Sequence, residues 1–229
     1  MKILQPIDNL IFDLDDTIYL PNSGIWDLIG ERIFSFMREH LPDVPDEGIE
    51  PLRDRLLKQY GTTLRGLHEE HGIDVQAYLD YVHDIDLSTV LKPDLELRRF
   101  LSHAPQKKYI FTNASQGHAE NVLTQMDLVD LFDGITGVGD VQPYCKPMPE
   151  AFLMMLQHFG ITDPSTCLFA DDSLPNLATA QALGMLPVYV GRKQGHGFTQ
   201  VERLADLEAL LPDHQNLQVE PHSFAGANL

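Results

Sequence analysis

The sequence has few basic residues and few cysteines. It contains 16 Lys and Arg against 34 Asp and Glu, which gives a formal net charge of -18 at pH 7. A surface with this charge repels a phosphate backbone and an anionic membrane, so we expect neither a nucleic-acid polymer nor a membrane as a partner. Its 2 cysteines are too few for a framework of disulfides.

Long apolar stretches are also missing. No run approaches the roughly 20 apolar residues that a membrane-spanning helix needs. The first ten residues lack the apolar segment of a secretion signal, so we expect a cytoplasmic protein. A chain of 229 residues can form one large domain, or a core domain that carries a smaller insert.

Short apolar runs alternate with helical patterns along most of the chain. Runs of this length are typical of strands that are buried on both faces of a parallel sheet. Strands alternating with helices predict an α/β fold built on a doubly wound parallel sheet. The five predicted strands are 10–14, 107–113, 133–138, 166–172 and 186–191.

One stretch departs from this alternation. Residues 21–88 contain helical segments and no convincing strand, so we predict an all-helical insert. The core is then predicted over 1–20 and 89–212, and residues 213–229 are predicted to form a tail. An insert placed directly after the first strand lies at the carboxyl edge of the sheet, where ligands of such folds bind.

Polar side chains follow several of the predicted strands. Because parallel strands end at one edge of the sheet, we expect these side chains to meet in one crevice. Taken alone, each group has a simpler explanation as a helix cap, a solvated helix start or a loop lysine. The candidates are Asp13 and Asp15, Thr112 and Asn113, Lys146, and Asp171 and Asp172.

The composition of that crevice predicts phosphoryl transfer. Neighbouring carboxylates repel one another by about 1–4 kcal/mol per pair, and Mg²⁺ with its preference for oxygen ligands would relieve the repulsion. The Lys146 ammonium and the Thr112 hydroxyl suit phosphate oxygens. Asp13 can then act as the nucleophile, and Asp15 as the general acid and base.

Three other features have simpler interpretations. The segment 68–71 (HEEH) is one residue shorter than a zinc-protease motif and is interpreted as a solvated helix face. Cys145 is interpreted as a packing residue. Residues 191–197 (GRKQGHG) are interpreted as a loop that could edge a lid.

Four motifs in order resemble those of the haloacid-dehalogenase-like superfamily of phosphohydrolases. They are FDLDDT (12–17), FTNAS (111–115), CKPMPEAF (145–152) and FADDS (169–173). The resemblance implies a Rossmann-like core with a helical cap, and an aspartyl-phosphate formed on Asp13. Where many relatives carry Asn or Gly after the second Asp, this chain has Asp16, which we expect to face away from the site.

The same resemblance implies a set of ligands for the metal and the phosphate. Mg²⁺ would bind Asp13, the Asp15 main-chain carbonyl and Asp172. The phosphate would contact Thr112, Asn113 and Lys146. Asp171 would hold Lys146 or a metal-bound water.

Within that superfamily the chain resembles the pyrimidine 5′-nucleotidase group. The matching features are Tyr19, YGTTLRGL (60–67), LKPD (91–94), GHAENVL (117–123) and the Cys before Lys146. This resemblance implies a nucleoside 5′-monophosphate as substrate, with Tyr60 stacking on the base and Arg65 hydrogen-bonding to the base or ribose. Both residues could equally belong to the packing and surface of the cap.

Alternative functions use the same core residues. A phosphatase for another small phosphorylated metabolite, such as phosphoglycolate or a sugar phosphate, would differ only in the cap. A phosphomutase would shield the aspartyl-phosphate from water. A receiver-like signalling module also combines Asp, Thr and Lys on such a sheet, but it is phosphorylated once and does not turn over.

Overall fold

The protein is described by a computed structural model that covers residue 3, residues 5–195 and residues 197–211. The tail predicted over 213–229 lies outside the described residues.

A single six-stranded parallel sheet forms the centre of the fold, in the order β3-β2-β1-β4-β5-β6. The prediction of a doubly wound parallel sheet is therefore confirmed. β6 was not predicted and adds an edge strand beside β5. The strands are β1 (Asn9–Phe12), β2 (Lys107–Phe111), β3 (Gly134–Thr136), β4 (Cys167–Asp171), β5 (Leu186–Val190) and β6 (Thr199–Val201).

The central strands are apolar on both faces, which explains their continuous hydrophobic runs. On β1, Leu10 and Phe12 pack into one hydrophobic cluster, whereas Ile11 packs into a second cluster on the opposite face. Side chains alternate between the faces of a strand, so a strand covered by helices on both sides needs apolar residues at every position.

Helices cover both faces of the sheet. Buried side chains of α5 and α6 belong to the first cluster, and those of α7 and α8 belong to the second. The helices are α1 (Ile25–His40), α2 (Asp46–Tyr60), α3 (Thr63–His71), α4 (Val75–Val82), α5 (Leu95–His103), α6 (Gln116–Gln125), α7 (Pro149–His158) and α8 (Leu174–Ala182).

Residues 21–88, all of which the structure describes, contain helices and no strand. The chain turns sharply between α2 and α3: Gly61 takes a left-handed conformation (φ 84°), and the Thr62 side chain accepts a hydrogen bond from the Arg65 N–H. The two helices then pack closely, because a Cβ atom at Gly66 would lie 2.7 Å from Leu56. α1 also packs against α2 and α4.

The strand order places a topological switch between β1 and β4. From β1 the chain proceeds to β2 and β3 on one side, and later to β5 and β6 on the other side of β4. Crevices at such switch points are the usual ligand sites of open α/β sheets. Within the described residues, no helix combines the length and the apolar character that crossing a membrane requires.

Candidate active site

Lys146 lies at the centre of the polar residues that follow the strands. Its side chain is only 2% exposed, and its ammonium contacts Asp13 Oδ1 at 2.6 Å and Asp171 Oδ2 at 3.0 Å. A third hydrogen bond of 2.8 Å goes to the main-chain oxygen of Phe111. Burial alone would lower the pKa of Lys146, but the two carboxylates raise it above its usual value. The residue is therefore a fixed cation.

The loop that carries Lys146 is held by Asn113. The Asn113 side chain donates to the Lys146 main-chain oxygen (3.0 Å) and accepts from the Lys146 N–H (2.8 Å). Both ends of this amide are therefore engaged. The structure shows the Asn113 side chain positioning the loop of Lys146; that Asn113 also binds phosphate stays a prediction.

Asp171 is fully buried, and both of its carboxylate oxygens accept hydrogen bonds. Oδ1 accepts from the Ser173 N–H (2.7 Å), and the Asn176 side-chain amide reaches both oxygens. With Lys146 also bound, Asp171 is satisfied by the protein itself. Asp171 was predicted to hold either Lys146 or a metal-bound water, and the structure shows the contact with Lys146.

Thr112 places a hydroxyl at the end of β2. Its oxygen accepts a hydrogen bond from the Ala114 N–H (2.9 Å), and its own main-chain N–H donates to Thr136. The hydroxyl proton is directed by neither bond, so it remains available to an acceptor in the cavity that Thr112 lines.

Three carboxylates lie close enough to share a cation. Oxygen atoms of Asp13, Asp171 and Asp172 are all within 4.8 Å of one another. Burial raises the pKa of Asp13 well above its usual value; Lys146 opposes this rise, and the charges of Asp171 and Asp15 add to it. Burial, with Asp171 and Asp16 nearby, raises the pKa of Asp172 to about 7. The group offers a cation carboxylate oxygens, and the raised pKa values of Asp13 and Asp172 reflect negative charge that the protein leaves uncompensated, which fits a hard divalent cation.

The Asp15 side chain belongs to a different group of residues. It accepts a short hydrogen bond from the Tyr19 hydroxyl, and His118 Nε2 lies 3.6 Å from its Oδ1 atom. Burial would raise the pKa of Asp15, but the nearby His118 ring and the hydrogen bond from the Tyr19 hydroxyl lower it below its usual value. His118 stacks on His83 with ring centroids 4.2 Å apart.

His83 joins the helical insert to the core at this point. Its Nδ1 atom lies 2.9 Å from the hydroxyl of Ser115, the N-cap residue of α6. Burial and the neighbouring His118 lower the pKa of His83 to about 3, although Asp15 opposes that shift. His83 is therefore neutral near pH 7. No motif in the sequence marks this pair of histidines as functional residues.

Asp16 lines the cavity, so the expectation that it faces away is wrong. Its backbone is left-handed (φ 59°), and it lines the same cavity as Asp13 and Asp172. One oxygen is buried and has no hydrogen-bond partner among the described residues. Burial raises the pKa of Asp16, the Trp26 indole opposes that rise, and Asp15 adds to it.

A cavity of about 560 Å³ opens above these residues. The core contributes Asp13, Asp15, Thr112, Asn113, Lys146 and Asp172. The helical insert contributes a largely apolar wall from α1, α2 and α4 together with the turn at residues 61–64. The predicted core residues are thus brought to one place, beneath the insert.

Tyr60 and Arg65 do not line this cavity. The Tyr60 hydroxyl donates to Glu70 (3.0 Å) on the outer face of α2 and α3, and Arg65 contacts Met148 Sδ (3.0 Å) beside a separate, smaller pocket. The turn at Gly61 and Thr62 explains the difference. It directs residues 61–64 towards the cavity and the two flanking side chains away from it.

The simpler interpretations of other motifs agree with the structure in two cases. Residues 68–71 form an exposed end of α3, and Cys145 is a buried free cysteine in the hydrophobic core. The loop at 191–195 does not line the cavity, so the structure gives no support to its interpretation as a lid edge.

Comparisons with known proteins agree with this arrangement. A family model described as haloacid dehalogenase-like hydrolase matches residues 7–184. The chain is 30% identical over 188 residues to Phosphate metabolism protein 8 of Saccharomyces cerevisiae, which covers 76% of this chain and 58% of that protein. It is 31% identical over 137 residues to a phosphoglycolate phosphatase of Pseudomonas putida, covering 58% of this chain and 50% of that protein.

Solved structures show the same fold. A phosphatase of this kind from Thermococcus onnurineus superimposes with a TM-score of 0.62 at 20% identity, covering 89% of this chain and 97% of that chain. The chain spans about half of the length of the curated relatives described above.

Proposed function

The chain belongs to the haloacid dehalogenase-like hydrolase family, and on that premise we propose that it is a Mg²⁺-dependent phosphomonoesterase that hydrolyses nucleoside 5′-monophosphates, with a preference for pyrimidines. The observation that carries the phosphatase proposal is the contact of Lys146 with Asp13 and Asp171, beside the Thr112 hydroxyl. One nucleophilic carboxylate next to a fixed cation and a hydroxyl donor suits a transferring phosphoryl group.

In the first half-reaction Asp13 attacks phosphorus. One carboxylate oxygen is held by Lys146, which leaves the other free to form the bond to phosphorus as the ester bond breaks. The leaving oxygen takes a proton from Asp15. The lowered pKa of Asp15 opposes this step in the free protein, and the negative charge of a bound phosphate raises that pKa.

In the second half-reaction water attacks the phosphoryl group on Asp13. Asp15, now ionised, accepts a proton from that water, and the bond between Asp13 and phosphorus breaks to release phosphate. Tyr19 and His118 hold the Asp15 carboxylate in one orientation for both steps. Lys146 and Thr112 donate to the phosphoryl oxygens throughout.

The residues that would hold Mg²⁺ are Asp13, Asp172 and the main-chain carbonyl of Asp15. Asp171, which already has four donor contacts, would support this site from behind. A bound Mg²⁺ would neutralise negative charge on the carboxylates and on the phosphate oxygens. The raised pKa values of Asp13 and Asp172 show how strongly this charge is uncompensated in the protein alone.

The size of the cavity supports a nucleotide. Its volume of about 560 Å³ falls within the range of small-molecule sites, about 300–1,000 Å³, and a metabolite as small as phosphoglycolate would leave much of it filled with water. We also propose that residues 21–88 act as a cap over a core formed by 1–20 and 89–212, because their helices supply the wall opposite the carboxylates. A cytoplasmic location remains a prediction.

A phosphatase for another small metabolite is the second candidate. The similarity to a phosphoglycolate phosphatase of Pseudomonas putida favours it. Nothing in the described residues specifically favours a phosphomutase or a receiver-like module.

A screen of phosphate release tests the proposal. Nucleoside 5′-monophosphates, phosphoglycolate and sugar phosphates would each be assayed with Mg²⁺, with Asp13→Asn as the matched inactive control. We expect sustained, EDTA-sensitive release that is fastest with pyrimidine nucleotides. Faster turnover of phosphoglycolate would select the second candidate, and full activity in EDTA would contradict the metal requirement.

A further inference from the structure

The wall of the cavity that helices α1, α2 and α4 supply is mostly apolar, but it includes Arg53 of α2 and Tyr78 of α4. Around them are the apolar residues Trp26, Ile29, Ile33, Leu57, Leu79 and Val82. Among the described residues that line the cavity, Arg53 and Lys146 are the two with a permanent positive charge; Lys146 is paired with two buried carboxylates, and Arg53 with the exposed carboxylate of Asp54.

Arg53 has more hydrogen-bonding capacity than the protein uses. Its Nε atom is buried without a partner among the described residues, and its side chain is 28% exposed. Nη1 contacts Asp54 at 3.2 Å on the exposed side of the helix, and the guanidinium lies 5.5 Å from the Phe34 ring. A buried donor without an acceptor costs free energy, so an acceptor supplied by a ligand would be bound favourably here.

Tyr78 offers a second unused polar group. Its ring packs against Phe36, with centroids 5.0 Å apart, and none of the described residues hydrogen-bonds to its hydroxyl. Burial raises the pKa of Tyr78, although nearby Arg53 opposes that shift, so the hydroxyl stays protonated and can donate. Two donors thus lie together in an apolar wall.

Two large apolar side chains of this wall remain open to solvent. Trp26 is 44% exposed and Leu57 is 42% exposed, and both line the cavity. Exposed apolar surface beside unused donors suits a ligand group that has apolar faces and acceptor atoms at its edge. A sugar needs several donors and acceptors, and a lone carboxylate would not cover the apolar wall.

We propose that this region binds the nucleobase of the substrate, and that Arg53 is the residue that recognises a carbonyl oxygen on the edge of the ring. The region bounded by Trp26, Arg53, Leu57 and Tyr78 is called the ring subsite below. The inference rests on the proposed function for the identity of the ring. Arg53 thus takes the role in base recognition that the resemblance implied for Tyr60 and Arg65, which do not line the cavity.

Binding of a nucleoside that carries no phosphate tests the ring subsite independently of catalysis. Trp26 is the only tryptophan of the chain, so its fluorescence reports on this region directly. Uridine would be titrated into the wild-type protein, into Arg53→Ala and into Arg53→Lys. Lys58→Ala is the matched control, because it removes one exposed cation from the same helix without touching the cavity.

We expect saturable quenching by uridine, with a dissociation constant raised about 10- to 100-fold in Arg53→Ala and unchanged in Lys58→Ala. Arg53→Lys should restore little of the affinity, because an ammonium lacks the planar set of donors. D-Ribose should give no saturable signal. In steady-state assays, Arg53→Ala should raise KM for UMP by a similar factor and leave kcat/KM for p-nitrophenyl phosphate within about twofold.

The outcomes separate the two proposals. Suppose that UMP is hydrolysed, but that Arg53→Ala lowers kcat/KM for UMP and for p-nitrophenyl phosphate equally, or lowers neither. The inference about Arg53 is then wrong and the proposed function stands. If uridine binds through Arg53 while no nucleotide releases phosphate, the ring subsite stands and the proposed function fails. The absence of saturable uridine binding in the wild-type protein would overturn the ring subsite.

Discussion

Replacement of Lys146 by methionine should destabilise the protein strongly, as well as inactivate it. Methionine is similar in length but uncharged, so Asp13 and Asp171 would lose the cation that lies 2.6 and 3.0 Å from their oxygens. Because all three side chains are buried, solvent would not compensate the remaining negative charge.

The expected loss is about 3–5 kcal/mol in the free energy of unfolding, the cost of removing one partner from a buried ion pair. In a protein of this size each kcal/mol changes Tm by about 2–4 °C, so Tm should fall by about 6–20 °C. The loss should grow as pH rises. An acid whose folded pKa lies above its unfolded pKa stabilises the fold at low pH and loses that contribution as pH rises through the folded value.

Urea and thermal unfolding at pH 5 and pH 8, followed by circular dichroism, would measure this effect. Lys108→Met is the matched control, because Lys108 is also buried, but among the described residues its ammonium donates only to the Gln106 main-chain oxygen, at 2.8 Å. It should cost about 0.5–1.5 kcal/mol. The double variant Lys146→Met with Asp171→Asn should regain part of the stability and none of the activity.

Two results would refute this reasoning. One is a Lys146→Met protein that is as stable as the wild type at pH 8. The other is a loss of stability that is the same at both pH values, since that would mean that packing, and not charge, is the contribution of Lys146.

Further predictions concern the carboxylates and the insert. Asp13→Asn should abolish turnover, because an amide does not attack phosphorus; steady-state release near the wild-type rate would contradict this. Asp15→Asn should slow turnover of p-nitrophenyl phosphate about 10²- to 10⁴-fold yet keep a stoichiometric burst of nitrophenol, since nitrophenolate leaves without a proton. The pKa of Asp172, raised to about 7, predicts that apparent Mg²⁺ affinity falls about tenfold per pH unit below that value, measurable by the Tm increase with Mg²⁺. Tyr60→Phe and Arg65→Ala should leave KM for nucleotides within about twofold.

The sheet could be predicted from the sequence because its central strands are apolar at every position. Ile11 and Phe12 are adjacent yet pack in different clusters, and only a strand covered on both faces needs such a run. The edge strand β6 carries the short polar sequence TQV, which has no such pattern, and it was therefore not predicted.

The core of the site was predictable for a related reason. Parallel strands bring their carboxyl ends together, so residues that directly follow β1, β2 and β4 must meet regardless of their separation in sequence. The partners of Asp15 follow no such rule. His83 lies at the end of α4 and His118 in the first turn of α6, and their stacking depends on how the insert docks on the core.

The residues that the insert contributes to the cavity were predicted incorrectly, because a sequence motif does not specify the direction in which its side chains point. Tyr60 and Arg65 flank the turn at Gly61, where the chain reverses between two helices. The turn leaves both side chains out of the cavity, Tyr60 against Glu70 and Arg65 against Met148, whereas Arg53, about two turns earlier on α2, lines it.

The ion pair between Asp13 and Lys146 joins positions that are 133 residues apart. During synthesis β1 leaves the ribosome long before Lys146 and before β4, which carries Asp171. The nucleophile Asp13 therefore has no cation beside it until most of the chain has emerged. A nascent chain should therefore be unable to trap a phosphoryl group, and the onset of the proposed phosphatase activity should coincide with docking of β4 beside β1.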